Sequence, residues 1–114
     1  MHYVIDGKKI WEVLPPDVRS RGCYGINHRA INIELVALHA DDLASKSETL
    51  KTCQALCRQL MKDHSISKEH IYSHQEVATM DRKKVPEAFD LIYSTPYHKI
   101  DPGVQNMKTI LQGL

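Results

Sequence analysis

The amino-acid sequence predicts an α/β fold in which a mixed central β-sheet is flanked by helices. Three features predict it: a pair of short β-prone runs at the start of the chain, an apolar run in its first half, and a segment of helical periodicity after that run. The 114 residues are 42% hydrophobic, which is enough for one hydrophobic core. Residues 1–114 are therefore expected to form a single domain.

Charge and cysteine content exclude several classes of protein. Fifteen basic and fourteen acidic residues nearly cancel, so the chain lacks the excess of positive charge that binding to a nucleic acid or to an anionic membrane usually needs. Neither partner is expected. Three cysteines are too few for a disulfide framework, which predicts reduced, buried thiols. The sequence shows no leader pattern and no apolar run of about 20 residues, so we expect synthesis in the cytoplasm and export, if any, by other means.

The first elements form a predicted β-hairpin. Residues 2–5 and 9–14 are β-prone, and the Asp6-Gly7 dipeptide between them adopts the positive φ angles of a tight turn. Pro15 ends the second strand because proline cannot donate to a ladder, and a loop is expected after it. We assign Trp11 of this hairpin to the core.

A third strand is predicted over residues 30–38, whose sequence is AINIELVAL. The run is almost continuously apolar, which is typical of a strand covered on both faces. Glu34 in its middle is the one charged side chain, and a buried carboxylate is costly unless it is paired or functional.

The remaining pattern is mainly helical. From Ser45 onward the apolar residues follow a helical period, and Ser45 with Glu48 matches a capping box. The apolar face consists of Leu50, Cys53, Leu56, Cys57, Leu60 and Met61, and we assign its two cysteines to the core. A short strand over 71–73 ending at His74, a long loop over 79–96, and a final amphipathic helix follow. That helix carries Val104, Met107, Ile110 and Leu111 on its apolar face.

Four segments occur in an order that resembles a known family. They are HYVIDGKKIWEVLP, NHRAINIELV, IYSHQEVA and HKIDPG. Together they resemble the zinc-dependent N-acetylmuramoyl-L-alanine amidases, which include phage amidase lysozymes, the cytosolic anhydro-muropeptide amidase and peptidoglycan recognition proteins. The resemblance implies an amidase-like sheet and hydrolysis of the bond between N-acetylmuramic acid and L-alanine in peptidoglycan, the expected substrate.

The resemblance also implies roles for individual residues. His74 and Asp101 match the family's zinc ligands, a mixed donor set that suits a catalytic zinc with an open position. Glu34 matches the carboxylate that takes a proton from the attacking water, and Lys99 matches the cation that stabilises the oxyanion. His28, in the loop before the third strand, is a candidate for contact with substrate.

Each of these residues also has a simpler interpretation. Glu34 alone would suit a structural ion pair, His74 a partly exposed hydrogen-bonding histidine, and His28 loop packing. Lys99 alone would be a solvated charge, and the segment after it an ordinary Asp-Pro-Gly turn. Their shared order in the chain favours the functional interpretation.

The match has departures. The family's first zinc ligand is a histidine on a strand that would precede Met1, so the domain is expected to be incomplete at its N-terminus and to bind metal weakly with His74 and Asp101 alone. His2 either replaces that ligand or faces away from the site, because side chains alternate along a strand. The family's loop histidine is absent near residues 19–22, and the interval from His74 to Lys99 is longer than in compact members.

Three hypotheses follow from the sequence. The favoured one is a zinc amidase in a short or fragmentary form. The second is a peptidoglycan-binding module that keeps the groove and lacks turnover. The third is an unrelated α/β interaction domain.

Overall fold

The computed structural model describes residues 1–23, 26, 29–79, 85 and 99–114. Within them, three strands are followed along the chain by four α-helices: β1 Tyr3–Asp6, β2 Lys9–Glu12, β3 Ile33–Leu35, α1 Ala40–Ser45, α2 Ser47–His64, α3 His74–Ala78 and α4 Val104–Gln112. One turn of 3₁₀ helix, Lys68–His70, lies between α2 and α3. The predicted α/β class is confirmed.

The sheet has the order β2-β1-β3 and is mixed, as the sequence predicts. β1 pairs antiparallel with β2 and parallel with β3, so both neighbours of β1 are edge strands within the described residues. The hairpin turn consists of Gly7 and Lys8 and not of the predicted Asp6-Gly7 pair, because Asp6 is the last residue of β1 and pairs with Lys9. Gly7 has a φ of +60°, a conformation that glycine adopts without a side-chain clash. The turn is held against α2 because Gly7 N–H donates to Thr49 Oγ1 at 2.9 Å and Thr52 Oγ1 donates to Gly7 O at 2.6 Å.

One hydrophobic core lies between the sheet and the helices. It contains residues from β1, α1, α2 and α4, namely Ile5, Leu43, Leu50, Cys53, Cys57 and Ile110. The predicted helical period of α2 is thus confirmed, with both cysteines buried. A second, smaller cluster packs the loop after β2 against α3, through Cys23, Ile26, Val77 and Val85. No helix in the described part of the chain has the length and apolar character needed to cross a membrane.

Three local expectations about this framework were wrong. The third strand is only Ile33–Leu35, and Glu34 in it is exposed, because β3 lies at the sheet edge and only one of its faces meets the helices. Ser45 does not begin the long helix: it is the last residue of the short helix α1, and α2 begins at Ser47, after Lys46, without a side-chain cap. Trp11 is 47% exposed and is not part of the core.

The segment before His74 also differs from its expectation. Residues 71–73 are not a strand, and His74 is the first residue of α3. Ser73 and Glu76 form the capping box there: the Ser73 side chain accepts from Glu76 N–H and the Glu76 side chain accepts from Ser73 N–H, each at 3.1 Å. These reciprocal bonds define the helix start and therefore the position of His74. Of the predicted loop over 79–96, only Thr79 and Val85 lie within the described residues.

Candidate functional site

His74 and Asp101 meet at one point on the surface. The Nδ1 atom of His74 lies 3.3 Å from the Oδ2 atom of Asp101, with the two side chains 20% and 66% exposed. Their backbones are also connected, because Gln75 N–H donates to the carbonyl oxygen of Asp101 at 3.3 Å. The segment before α4 therefore packs against the first turn of α3, and two residues distant in sequence become neighbours.

Asn106 holds the Asp101 segment in place. Its buried side-chain amide donates to Pro102 O at 2.8 Å and to Ala40 O at 2.9 Å, which ties the turn before α4 to the first residue of α1. Gly103, at φ +97°, makes the turn, and a Cβ there would meet the Ala40 side chain at 3.0 Å. The two bonds limit the movement of the backbone that carries Asp101. Sequence reasoning missed Asn106, although a lone amide beside Met107 on the apolar face of a helix is the signal that could have found it.

A large groove connects the predicted site residues. Its cavity of about 1350 Å³ is lined by Glu34 of β3, by His74 and Asp101, and by Lys99. Apolar side chains of α2 form part of its wall. Glu34, Lys99 and Asp101 are exposed and His74 is half-buried, so all four are accessible to a ligand in this groove. His28, the candidate for contact with substrate, lies outside the described residues.

The donor set of the groove fits part of a zinc site. Two donor atoms bonded to a tetrahedral zinc at about 2.0–2.1 Å lie about 3.3–3.4 Å from each other, which matches the 3.3 Å between Nδ1 of His74 and Oδ2 of Asp101. Structural and catalytic zinc sites normally have at least three protein ligands. Within the part of the chain that the structure describes, no group of three or more histidine, cysteine, aspartate or glutamate side chains is arranged to hold a metal.

His2 faces away from the groove residues and has a structural role. It is 1% exposed, its Nδ1 accepts from Asn32 N–H at 2.9 Å, and its Nε2 lies 2.6 Å from the carbonyl oxygen of Val18. Since both ring nitrogens are engaged by the backbone, neither is free for a metal. Of the two alternatives that the sequence left open for His2, the structure selects the one in which it faces away.

Comparison with models of protein families gives one match. The family described as N-acetylmuramoyl-L-alanine amidase matches residues 1–88, a segment that contains Glu34 and His74 and ends before Lys99 and Asp101. Searches of curated proteins and of solved structures give no match to this chain.

Proposed function

The chain belongs to the N-acetylmuramoyl-L-alanine amidase family, and we propose that it hydrolyses the amide bond between N-acetylmuramic acid and L-alanine in peptidoglycan. The contact between His74 and Asp101 in a groove also lined by Glu34 and Lys99 carries the proposal. Family membership also removes the sequence-based alternative of an unrelated interaction domain. The proposal includes synthesis in the cytoplasm and action at the bacterial cell wall.

We propose His74 and Asp101 as ligands of a zinc ion. An imidazole nitrogen and a carboxylate oxygen are both common zinc donors, and the 3.3 Å between them, which is the distance of a direct contact, also fits two ligands on one ion. When bound, zinc would supply Lewis-acid polarisation of the scissile carbonyl and would lower the pKa of water toward about 7. With two donors from the described residues, we expect weaker binding than at a site with three protein ligands.

Glu34 and Lys99 supply the remaining chemistry of the proposal. Glu34 is exposed at the edge of the sheet, so its carboxylate can accept the proton of the attacking water and later deliver it to the leaving amine. Lys99 carries a fixed positive charge beside the Asp101 segment, where it can stabilise the negative charge that develops on the carbonyl oxygen. No covalent nucleophile is required for this reaction.

The test measures zinc binding and amide hydrolysis on the same protein. Purified protein is incubated with zinc and dialysed, its metal content is measured by mass spectrometry, and a muropeptide is assayed for release of its stem peptide. We expect His74→Ala and Asp101→Asn to lower zinc affinity by roughly 10–100-fold or more and to abolish peptide release, because each removes one of two donors. Asp41→Asn, an exposed carboxylate on α1, is the matched control and should leave both unchanged.

A second function is favoured by one observation. The described residues contain only two converging metal donors, which is also what a peptidoglycan-binding module without turnover would contain. Binding of glycan strands with no retained zinc and no peptide release would support that module and reject the hydrolase. Stoichiometric zinc with peptide release would support the hydrolase and reject the binding module.

A further inference from the structure

Trp11 and Glu34 lie in one row across the same face of the sheet. In the strand register, Val4 of β1 is paired with Trp11 of β2 on one side and with Glu34 of β3 on the other. Side chains at directly paired positions point to the same face, so these three form a continuous row. Neighbouring strands are about 4.8 Å apart, which places the backbones of Trp11 and Glu34 about 10 Å from each other.

At the row of Val4, this face of the sheet is open. Tyr3 and Ile5, which alternate with Val4 along β1, are buried toward the helices, whereas Val4 is only half-buried and Glu34 is exposed. Trp11 is 47% exposed at the edge of the row. An indole combines a large apolar face with a polar N–H at its rim, and at 47% exposure both are accessible to a ligand.

The two ends of the row could contact different parts of a glycan substrate. The Glu34 end lines the same groove as His74 and Asp101, so the row adjoins that groove. The flat face of an indole packs against the apolar C–H face of a sugar ring, and the indole N–H can donate to a hydroxyl at its rim. A separation of about 10 Å is comparable to the length of a disaccharide.

We propose that Trp11 is a substrate-binding residue that stacks on a sugar ring of the peptidoglycan glycan strand, next to the muramoyl unit whose amide bond lies over Glu34. The inference rests on the proposed function for the identity of the glycan. It assigns to Trp11 a role in positioning substrate, through binding and not through the chemical step.

Intrinsic fluorescence tests the proposal directly, because Trp11 is the single tryptophan of the chain. A titration with the tetramer of β-1,4-linked N-acetylglucosamine should shift and quench the emission, since stacking removes the indole from water. The dipeptide L-alanyl-D-glutamate, which has no sugar ring, should leave the emission unchanged. Unchanged emission at saturating tetramer, or an equal response to the dipeptide, would overturn the proposal.

Variants separate stacking from a structural role. Trp11→Ala should raise KM for cell-wall glycan by roughly three- to tenfold with kcat within twofold, while Trp11→Phe should retain most of the affinity because it keeps an aromatic face. Ile10→Ala is the matched control, because Ile10 is similarly exposed on the same strand and points to the opposite side. Far-UV circular dichroism establishes that each variant is folded. An equal loss of affinity in Ile10→Ala would reject the assignment.

The two proposals fail in different ways. Binding of the tetramer at Trp11 without any release of stem peptide would reject the hydrolase proposal and leave the role of Trp11 in sugar binding intact. Peptide release that is insensitive to Trp11→Ala would reject the role of Trp11 in sugar binding and leave the hydrolase proposal intact. A concentration-dependent dimer that Trp11→Ala dissociates would also reject the role of Trp11 in sugar binding, since Trp11 would then be covered by a second copy of this chain.

Discussion

The backbone N–H of Asn32 donates to Nδ1 of His2 at 2.9 Å, and this bond joins the start of β1 to the residue before β3. The other ring nitrogen of His2 lies 2.6 Å from Val18 O, in the loop after β2. Asn32 O in turn accepts from the backbone N–H of His2 at 2.9 Å. The buried imidazole of His2 thus connects the start of β1 to the residue before β3 and to the loop after β2.

His2→Phe should lower the free energy of unfolding by about 2–4 kcal/mol, because Asn32 N–H and Val18 O would lose their partners in a buried environment. His2→Asn should lose less, since its side-chain oxygen can replace Nδ1 as acceptor. Urea denaturation measures both values. His64→Ala, an exposed histidine near the end of α2, should stay within about 0.5 kcal/mol of the parent. A similar loss in His64→Ala would contradict the special role of His2.

Glu34→Gln should reduce release of the stem peptide by about 100-fold or more while zinc content and unfolding stability remain unchanged, because the amide cannot take up a proton. Glu48→Gln is the matched control, since Glu48 is an exposed carboxylate on α2 whose partner is Lys8 at 3.6 Å. Initial rates on a soluble muropeptide measure the effect. Equal rates for Glu34→Gln and the parent would refute the assigned role.

Lys99→Ala should reduce the same rate by a similar factor, because the developing oxyanion would lose its positive partner. The loss should fall mainly on kcat, since the charge is needed in the transition state more than in the bound ground state. Lys62→Ala, an exposed lysine on α2, is the control. A change confined to KM would place Lys99 in substrate binding and not in catalysis.

Asn106→Leu should lower the free energy of unfolding by about 1–3 kcal/mol and also weaken zinc binding, because Pro102 O and Ala40 O would lose their donor and Asp101 would be less firmly held. Gln105→Leu, the adjacent exposed amide, should affect neither quantity. Denaturation and competition with a chromophoric chelator measure the two effects. Loss of stability with full zinc affinity would show that Asn106 does not position Asp101.

The paired thiols of Cys53 and Cys57, with their sulfur atoms 4.0 Å apart, predict the alkaline behaviour of the fold. The hydrogen bond with Cys57 and burial raise the pKa of Cys53 well above its ordinary value. A raised pKa in the folded state gives stability that is present below the unfolded pKa of about 8.5 and is lost as pH rises above it. The bond with Cys53 lowers the pKa of Cys57, so Cys53 is the member of the pair whose ionisation makes the free energy of unfolding fall in this range.

Urea denaturation from pH 8 to 10 should therefore show a falling free energy of unfolding, and Cys53→Ala should flatten this slope. Iodoacetamide should react with Cys53 much more slowly in the folded protein than in urea. A slope that is unchanged in Cys53→Ala would assign the effect to another group.

The sequence by itself determined the features that depend on local pattern. The glycine of the hairpin turn, the two strands of the hairpin and the helical period of α2 follow from the pattern of neighbouring residues, and so does the order of motifs that predicted the family. The choice of Glu34, His74, Lys99 and Asp101 as site residues also came from that order. That His74 contacts Asp101, and that all four residues line one groove, required coordinates, because the backbone bond between α3 and the Asp101 segment joins residues distant in sequence.

Only the tertiary structure decided which faces are covered. Trp11 was assigned to the core and Glu34 to a strand covered on both faces, yet both lie in a row that none of the helices in the described residues covers. His2 carried no local signal of its role, since its two partners, Asn32 and Val18, come from other segments. Burial and hydrogen-bond partnership depend on what packs from elsewhere in the chain, and the pattern of neighbouring residues does not specify that.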